Sequence, residues 1–185
     1  KKASCGKAAS RMEVKIDSPD PNTHAGEIIC RGTNLMLGYY KNPEATAQII
    51  DKDGWLHTGD LGTMDNQGYV TIRGRSKNLL LNSSGHNIYP EEIESKLNNM
   101  LYVSESLIVL QNDKLVALIY PDFDEAFANG LQQPDIEKAM ENNRIELNLQ
   151  LPSYSQITKV KIHFEEFEKT AKKSIKRFMY QEAKG

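Results

Sequence analysis

The sequence predicts an α+β fold in two parts, a β-rich first part over residues 1–75 and a smaller α+β part over residues 76–185. Short alternating segments separated by turns fill the first part, as in the end of a distorted β-barrel. Longer apolar runs and a helical stripe in the second part indicate about three strands with helices on one face. A densely punctuated stretch at residues 74–94 lies between the two parts and forms a natural domain junction.

The first part begins with strands that alternation and flanking turns identify. Residues 12–16 alternate apolar and charged side chains, and residues 26–32 form a short strand between two glycines. Asn42 and Pro43 predict a helix start, because asparagine caps well and proline suits the first helical position. Residues 69–73 form a further strand that leads into the junction.

The junction itself predicts a small hairpin followed by a helix. Short strands at residues 79–81 and 87–89 flank a turn around Gly85, where a positive φ angle is easily adopted. Pro90 then opens a helix with two glutamates in its first turn, where the helix dipole favours negative charge.

Beyond the junction, apolar patterning predicts a hairpin, a helix and a third strand. The hairpin joins residues 106–110 to residues 114–120. A helix begins at Pro134, and residues 157–163 alternate as a strand should. The apolar stripe of the helix consists of Ile136, Met140 and Leu147.

The composition is ordinary for a globular protein, at 39% hydrophobic and 26% charged residues. A net charge of −2 argues against a general nucleic-acid binder, which would carry a basic excess. Cys5 and Cys30 have neither a disulfide framework nor a metal-ligand spacing, so we expect a cytoplasmic protein with no metal site. No apolar run approaches the roughly 20 residues of a membrane-spanning helix, which leaves peripheral membrane contact open.

Residues 74–94, which read GRSKNLLLNSSGHNIYPEEIE, resemble a known linker motif. The match is to the adenylate-forming enzymes, the superfamily of acyl-CoA synthetases, luciferases and peptide-synthetase adenylation domains. The NIYPEEIE ending resembles the long-chain fatty acyl-CoA synthetase branch most. The resemblance implies an enzyme that uses ATP and Mg²⁺ to convert a fatty acid into acyl-adenylate, releasing pyrophosphate. CoA would then displace AMP to form acyl-CoA.

The resemblance also implies a nucleotide site in the first part. Asp60, in the segment that begins at Thr58, would bind both ribose hydroxyls of ATP, since a carboxylate accepts hydrogen bonds from two donors. Arg75 would make a second contact to ribose or phosphate, and Ile72 would line the pocket. From the residues alone, Gly59-Asp60 is an ordinary turn and Arg75 is a solvated or ion-paired arginine.

The residues after the nucleotide site resemble a hinge and a CoA-binding loop. Lys77 occupies the hinge position, where a residue absorbs a backbone rotation while its neighbours stay rigid. The loop of Ser84, Gly85 and His86 would contact the pantetheine of CoA; on the residues alone it is a plain hairpin turn. The lid domain, residues 76–185, would turn about Lys77 between the two half-reactions.

The basic segment at residues 169–177 departs from the family pattern. Family members carry a lysine in a Lys-Thr-Pro-Xaa-Gly-Lys-Ile-Xaa-Arg-like segment, where it stabilises the charge that develops at the α-phosphate. An ungapped alignment puts Ser174 at that lysine, so Lys173 is the first candidate to supply the cation. The alternative is a solvated basic face.

Two other segments of the family are absent from this sequence. There is no Ser/Thr/Gly-rich segment to cradle the ATP phosphates, and no Tyr-Gly-Xaa-Thr-Glu-like segment. We therefore expect a C-terminal fragment of a larger enzyme that is inactive by itself. Two other classes stay open: another adenylate-forming enzyme, such as an acyl-AMP ligase or amino-acid adenylation domain, and a non-enzymatic binding module.

Overall fold

The computed structural model describes residues 4–181 and divides the chain into two compact units. The first unit is Lys1–Asn78 and the second is Leu79–Gly185. Both units combine β-sheet with helix, and the predicted α+β class is confirmed. None of the helices in the described range has the length and apolarity needed to cross a bilayer.

The first unit is an antiparallel four-stranded sheet in the order β1-β2-β3-β4. Its strands are β1 (Met12–Asp17), β2 (Gly26–Gly32), β3 (Leu56–Met64) and β4 (Val70–Arg75). Ile16, Ile28 and Val70 form its buried centre, as alternation along the strands predicts. The strands expected at residues 12–16 and 26–32 are thereby confirmed.

One short helix, α1 (Pro43–Ile49), connects β2 to β3. The side-chain oxygen of Asn42 accepts a hydrogen bond from the backbone N–H of Ala45 at 3.0 Å. Pro43 occupies the first helical position, where its missing N–H costs nothing. The helix start that the sequence predicts is therefore confirmed by its capping geometry.

In its described residues, up to residue 181, the second unit contains a two-stranded ribbon, a three-stranded sheet and three α-helices. The ribbon pairs β5 (Leu80–Leu81) with β6 (Asn87–Ile88), and the sheet has the order β7-β8-β9. Strands β7 and β8 are antiparallel, whereas β8 and β9 are parallel. The remaining bounds are α2 (Pro90–Leu97), β7 (Val103–Gln111), β8 (Lys114–Pro121), α3 (Phe123–Ala128), α4 (Gln133–Asn148) and β9 (Lys159–Ile162).

Both faces of the three-stranded sheet are covered. Helices α2 and α4 pack on one face, where Leu97, Ile108 and Met140 belong to one hydrophobic cluster and are fully buried. On the other face, Leu107 and Val109 pack against Phe167 from the segment after β9. Burial on both faces explains why β7 and β8 are nearly continuous apolar runs instead of alternating ones.

Candidate functional site

Strand β3 bulges where it passes β2. Glu27 pairs with Leu61 and Ile29 pairs with His57, so residues 58–60 lie opposite Ile28 alone. Gly59, in the middle of the bulge, has a φ angle of +71°, which favours glycine. The Gly59-Asp60 pair is therefore not an ordinary turn after a strand; it is a β-bulge within one, and bulges re-aim side chains.

Side chains replace the missing ladder hydrogen bonds of this bulge. The Thr58 hydroxyl donates to the Ile28 carbonyl at 2.7 Å, and it accepts from the Asp60 N–H at 3.1 Å. The Gly59 N–H donates to Glu27 Oε1 at 2.8 Å. Thr58, expected at the nucleotide, thus has its hydroxyl engaged inside the bulge, where it shapes the backbone that carries Asp60.

The bulge brings Asp60 next to Arg75 at the end of β4. Arg75 Nε lies 2.9 Å from Asp60 Oδ1, and Arg75 Nη1 donates to the Thr58 carbonyl at 3.3 Å. The Asp60 side chain is 29% exposed and that of Arg75 53% exposed. A partly exposed carboxylate with a guanidinium on one oxygen keeps acceptor capacity for hydroxyl donors. The pair thus has the chemistry needed to bind a vicinal diol.

Ile72 lies on the same strand, three positions before Arg75. It pairs with Gly62 across the β3–β4 ladder, and its side chain is half exposed. The register shifts between Leu61 and Gly62, so Arg73 is the extra residue of β4 at this point. The role of Ile72 in lining a pocket beside the Asp60–Arg75 pair stays a prediction.

A second ionic network lies behind the bulge and includes His57. Its Nδ1 lies 2.8 Å from Glu27 Oε2, and its Nε2 lies 3.6 Å from Asp51 Oδ2. The hydrogen bond to Glu27, followed by the charges of Glu27 and Asp51, raises the pKa of His57 above its usual value, although burial opposes the rise. The sequence alone assigns His57 to packing or a turn. This interpretation misses the two carboxylate partners of His57, because the register of β2 against β3 cannot be read from the local sequence.

The raised pKa of His57 gives a signed prediction for stability. A group whose pKa rises on folding stabilises the fold below its unfolded pKa, and the effect is lost as the pH rises through the folded value. Since the ring is 33% exposed, we expect His57→Gln to cost about 0.2–1 kcal/mol in acid and less in base. Urea unfolding followed by Trp55, the single tryptophan, measures this in the first unit.

The matched control for that measurement is His24→Gln. The ring of His24 is exposed and contacts the Thr23 hydroxyl, so this variant measures the loss of an exposed imidazole elsewhere in the first unit. A His57→Gln effect that is equally large at acid and alkaline pH would contradict the assigned ion pair.

The predicted CoA loop forms the tip of the β5–β6 ribbon. Gly85 has a φ angle of +79°, and a Cβ added there would have open space around it. The His86 ring stacks on Tyr154, with ring centroids 4.5 Å apart, so it is held by an aromatic neighbour. Ser84 is exposed, and the loop therefore leaves backbone open to close approach by a ligand.

The basic segment forms a tight turn. Lys173 N–H donates to the Thr170 carbonyl at 2.9 Å, and Thr170 N–H donates to the Ser174 carbonyl at 2.8 Å. Lys173 has a φ angle of +60°, a conformation that glycine adopts most easily. In the ungapped alignment this position is the glycine of the family pattern, so the backbone follows that pattern although the residue does not.

The cations of this segment differ in their surroundings. Lys169 pairs with Glu105 at 2.7 Å, Lys176 pairs with Glu168 at 3.4 Å, and Arg177 pairs with a buried glutamate. Lys172 and Lys173 are exposed and make no ion pair within residues 4–181. Three of the five cations are therefore ion-paired in the structure. Lys172 and Lys173 are left to interact with a ligand.

Lys77 lies in a short 3₁₀-helix, Ser76–Asn78, at the end of the first unit. It is exposed, as a hinge residue can be. Within residues 4–181, no cluster of three or more His, Cys, Asp or Glu side chains is placed to hold a metal ion.

Comparison with protein families identifies the second unit. A family model described as the AMP-binding enzyme C-terminal domain matches residues 77–183. A 3-[(3aS,4S,7aS)-7a-methyl-1,5-dioxo-octahydro-1H-inden-4-yl]propanoyl:CoA ligase of Rhodococcus jostii is 48% identical over 104 residues, 56% of this chain and 19% of that protein. A 2-methylpropanoate–CoA ligase of Humulus lupulus is 33% identical over 181 residues, 92% of this chain and 31% of that protein.

A third relative carries the name of a ligase for a different acid. A long-chain-fatty-acid–CoA ligase of Gallus gallus is 37% identical over 117 residues, 63% of this chain and 15% of that protein. The chain thus spans between 15% and 31% of the length of these three relatives.

Solved structures agree on the fold. ATP-bound MatB from Rhodopseudomonas palustris is 26% identical with a TM-score of 0.70, over 96% of this chain and 35% of that one. The o-succinylbenzoate CoA synthetase MenE from Bacillus subtilis, in complex with AMP, has a TM-score of 0.77 at 24% identity, over 99% of this chain and 36% of that one.

Proposed function

Because the chain belongs to the AMP-binding enzyme C-terminal domain family, we propose that it works within an AMP-forming acyl-CoA ligase that activates a carboxylic acid with ATP. Its homology to CoA ligases covers 92% of the chain in the case of the Humulus lupulus enzyme. The structural observation that carries the proposal is the Asp60–Arg75 pair on the β3 bulge, which offers a carboxylate and a guanidinium side by side. A ribose has the two adjacent hydroxyls that such a carboxylate accepts.

The proposed chemistry has two steps. In the first, a carboxylate oxygen of the acid attacks the α-phosphorus of ATP, and the bond to pyrophosphate breaks. In the second, the CoA sulfur attacks the acyl carbon, its proton is lost, and AMP leaves. Mg²⁺ bound with ATP would neutralise phosphate charge in the first step.

This chain would supply residues to both steps. Asp60 and Arg75 would hold the ribose, with Ile72 beside them, and Lys173 would stabilise the negative charge that develops on the α-phosphate oxygens. The Ser84-Gly85-His86 loop would lie against the pantetheine of CoA. Lys77 would be the hinge about which the lid turns between steps.

For the acid, we propose a long-chain fatty acid, and for the location of the enzyme the cytoplasm. The proposal for the acid is supported by the NIYPEEIE ending of the junction and by the likeness to the Gallus gallus ligase. The other two relatives carry the names of a bicyclic and a branched short acid, so the choice of acid needs a direct test.

That test is an acid panel with the complete enzyme that contains this chain. Palmitate, 4-coumarate and 2-methylpropanoate are each supplied with ATP, Mg²⁺ and CoA, and acyl-CoA, AMP and pyrophosphate are quantified. For each acid that reacts, we expect acyl-CoA, AMP and pyrophosphate in equal amounts. We expect palmitate to be the best substrate of the three acids. Transfer to a carrier protein but not to CoA would instead identify another adenylate-forming enzyme. No ATP-dependent product would favour a non-enzymatic module. The 185-residue chain alone should make no acyl-CoA.

Replacing Asp60 by alanine should weaken the use of ATP by the complete enzyme. The loss of a charge-assisted contact to ribose costs about 1.5–3 kcal/mol, which corresponds to roughly 10- to 150-fold in kcat/KM for ATP. Asp53→Ala is the matched control, because Asp53 is an exposed aspartate in the turn before β3. Unchanged kinetic constants for ATP in Asp60→Ala would remove Asp60 from the site.

A further inference from the structure

Glu27 joins the backbone of the bulge to the ionic network behind it. Its Oε1 accepts the Gly59 N–H at 2.8 Å, and its Oε2 lies 2.8 Å from Nδ1 of His57. Each carboxylate oxygen therefore has its own partner, and the Glu27 side chain is only 26% exposed. A carboxylate suits this place because both of its oxygens accept hydrogen bonds, whereas an amide has a single acceptor oxygen.

The position of Glu27 matters because Gly59 precedes Asp60 directly. Three residues of β3 face Ile28 alone, so ordinary strand pairing does not hold the Gly59 N–H. Glu27 replaces that missing ladder bond with a side-chain acceptor. On the other side of the bulge, Arg75 holds the Asp60 carboxylate at 2.9 Å. The direction of the Asp60 side chain thus depends on contacts from Arg75, from the Thr58 hydroxyl and, through the backbone of Gly59, from Glu27.

We propose that Glu27 is a positioning residue, which holds the Gly59-Asp60 segment in the conformation that binds the ribose hydroxyls. His57 supports this role, since it keeps the second oxygen of Glu27 engaged and so fixes the carboxylate plane. The inference rests on the proposed function, because it presumes that Asp60 contacts the ribose. It adds a residue on another strand, 32 positions away from Gly59, that sets how well this contact is made.

The test compares ATP with 2′-deoxy-ATP in the complete enzyme. If Asp60 binds both hydroxyls, the wild type should prefer ATP by roughly tenfold in kcat/KM, the worth of one charge-assisted hydrogen bond. Glu27→Ala should lower kcat/KM for ATP by about the same factor and bring the preference close to one. Glu27→Gln should lie between, because it keeps one acceptor. The KM for the acid should not change.

Glu13→Ala is the matched control variant. Glu13 is a carboxylate of the same sheet, on β1, and it pairs with Arg31 at 2.9 Å, away from the bulge. Its loss should leave the preference for ATP over 2′-deoxy-ATP at the wild-type value. If Glu27 only stabilised the fold through its ion pair, its loss would also leave the preference for ATP unchanged. Loss of the preference in the Glu27 variants, but not in Glu13→Ala, therefore supports positioning.

The outcomes separate this inference from the proposed function. If Asp60→Ala abolishes the preference and both Glu27 variants keep it, the positioning role is overturned while the ribose site stands. If Asp60→Ala itself keeps the preference, the ribose site fails. Should Glu27→Ala not fold, hydrogen exchange in Glu27→Met gives a second measurement, because methionine keeps the length of the side chain but has no carboxylate oxygen to accept the Gly59 N–H. The Gly59 amide should exchange its hydrogen faster than in the wild type, and an unchanged exchange rate would overturn the role.

Discussion

Replacing Arg177 by alanine should destabilise the second unit by about 3–5 kcal/mol, because it leaves a buried charge without its partner. Arg177 Nη1 donates to Glu94 Oε1 at 2.8 Å, and Nη2 pairs with Oε2. The two side chains are 14% and 9% exposed. Glu94 also accepts the backbone N–H of Ile108 at 2.7 Å. The pair therefore ties the C-terminal segment to helix α2 and to strand β7.

Urea unfolding followed by helical circular dichroism measures this loss. Lys176→Ala is the matched control, since Lys176 makes an exposed pair with Glu168 at 3.4 Å, and such pairs are worth about 0–1 kcal/mol. Replacing both Glu94 and Arg177 by apolar residues should recover much of the stability, because no buried charge then remains. An Arg177→Ala effect no larger than that of Lys176→Ala would contradict a buried pair.

The pH dependence of the Arg177→Ala effect has a definite sign. Burial raises the pKa of Glu94 above its usual value, and Arg177 opposes the rise. A raised carboxyl pKa means that the folded state favours the protonated form of Glu94. The contribution of Glu94 to the free energy of unfolding therefore falls as the pH rises from the pKa of the unfolded state through that of the folded state. Without Arg177 the rise is unopposed. The loss should therefore be larger at about pH 7.5 than at about pH 5.

Replacing Lys173 by alanine should lower the rate of adenylate formation in the complete enzyme by about 10²–10³, the usual effect of one electrostatic contact in a transition state. Lys173 is exposed and makes no ion pair within residues 4–181, so its ammonium group is available to a phosphate. Thioester formation from preformed acyl-adenylate should stay nearly intact, because the proposed function gives Lys173 a role in the first step and gives the contact to CoA in the second step to the Ser84-Gly85-His86 loop. Single-turnover measurements of each step test this.

Variants around Lys173 separate chemistry from turn conformation. Lys173→Gly suits the φ angle of +60°, so it should keep or raise stability, by up to about 1 kcal/mol, while still losing the rate. Ser174→Lys should preserve or raise the rate, and Lys172→Ala and Lys176→Ala should do much less than Lys173→Ala. A neutral Lys173→Ala beside a severe Lys176→Ala would mean that the assigned register is wrong.

Local signals predicted much of the fold. Alternation identified β1, and the Asn42 cap identified the start of α1. Helix α3 was missed because its six residues, Phe123–Ala128, are too few to show a period. Its cap, Asp122, which accepts from the Glu125 N–H at 2.9 Å, was the signal that could have found it.

The site was predicted less completely, since much of it depends on contacts between distant residues. The motif indicated Asp60 and Arg75, and in the structure Arg75 Nε lies 2.9 Å from Asp60 Oδ1. The bulge depends on the β2–β3 register, and a register is set by packing and turns instead of by the residues of one strand. The Glu94–Arg177 pair joins residues 83 positions apart, so no local pattern could indicate it.

Acid-dependent exchange of pyrophosphate into ATP, measured with the complete enzyme in the absence of CoA, tests the proposed function most directly. When labelled pyrophosphate is supplied, an enzyme that forms an acyl-adenylate also runs its first step in reverse. Pyrophosphate then attacks the α-phosphorus of the acyl-adenylate, the acid leaves, and labelled ATP is formed. We predict exchange that requires the acid, needs no CoA and falls in Asp60→Ala and Lys173→Ala. Exchange that needs CoA, or that is absent while acyl-CoA is still formed, would contradict the adenylate and with it the roles of both residues.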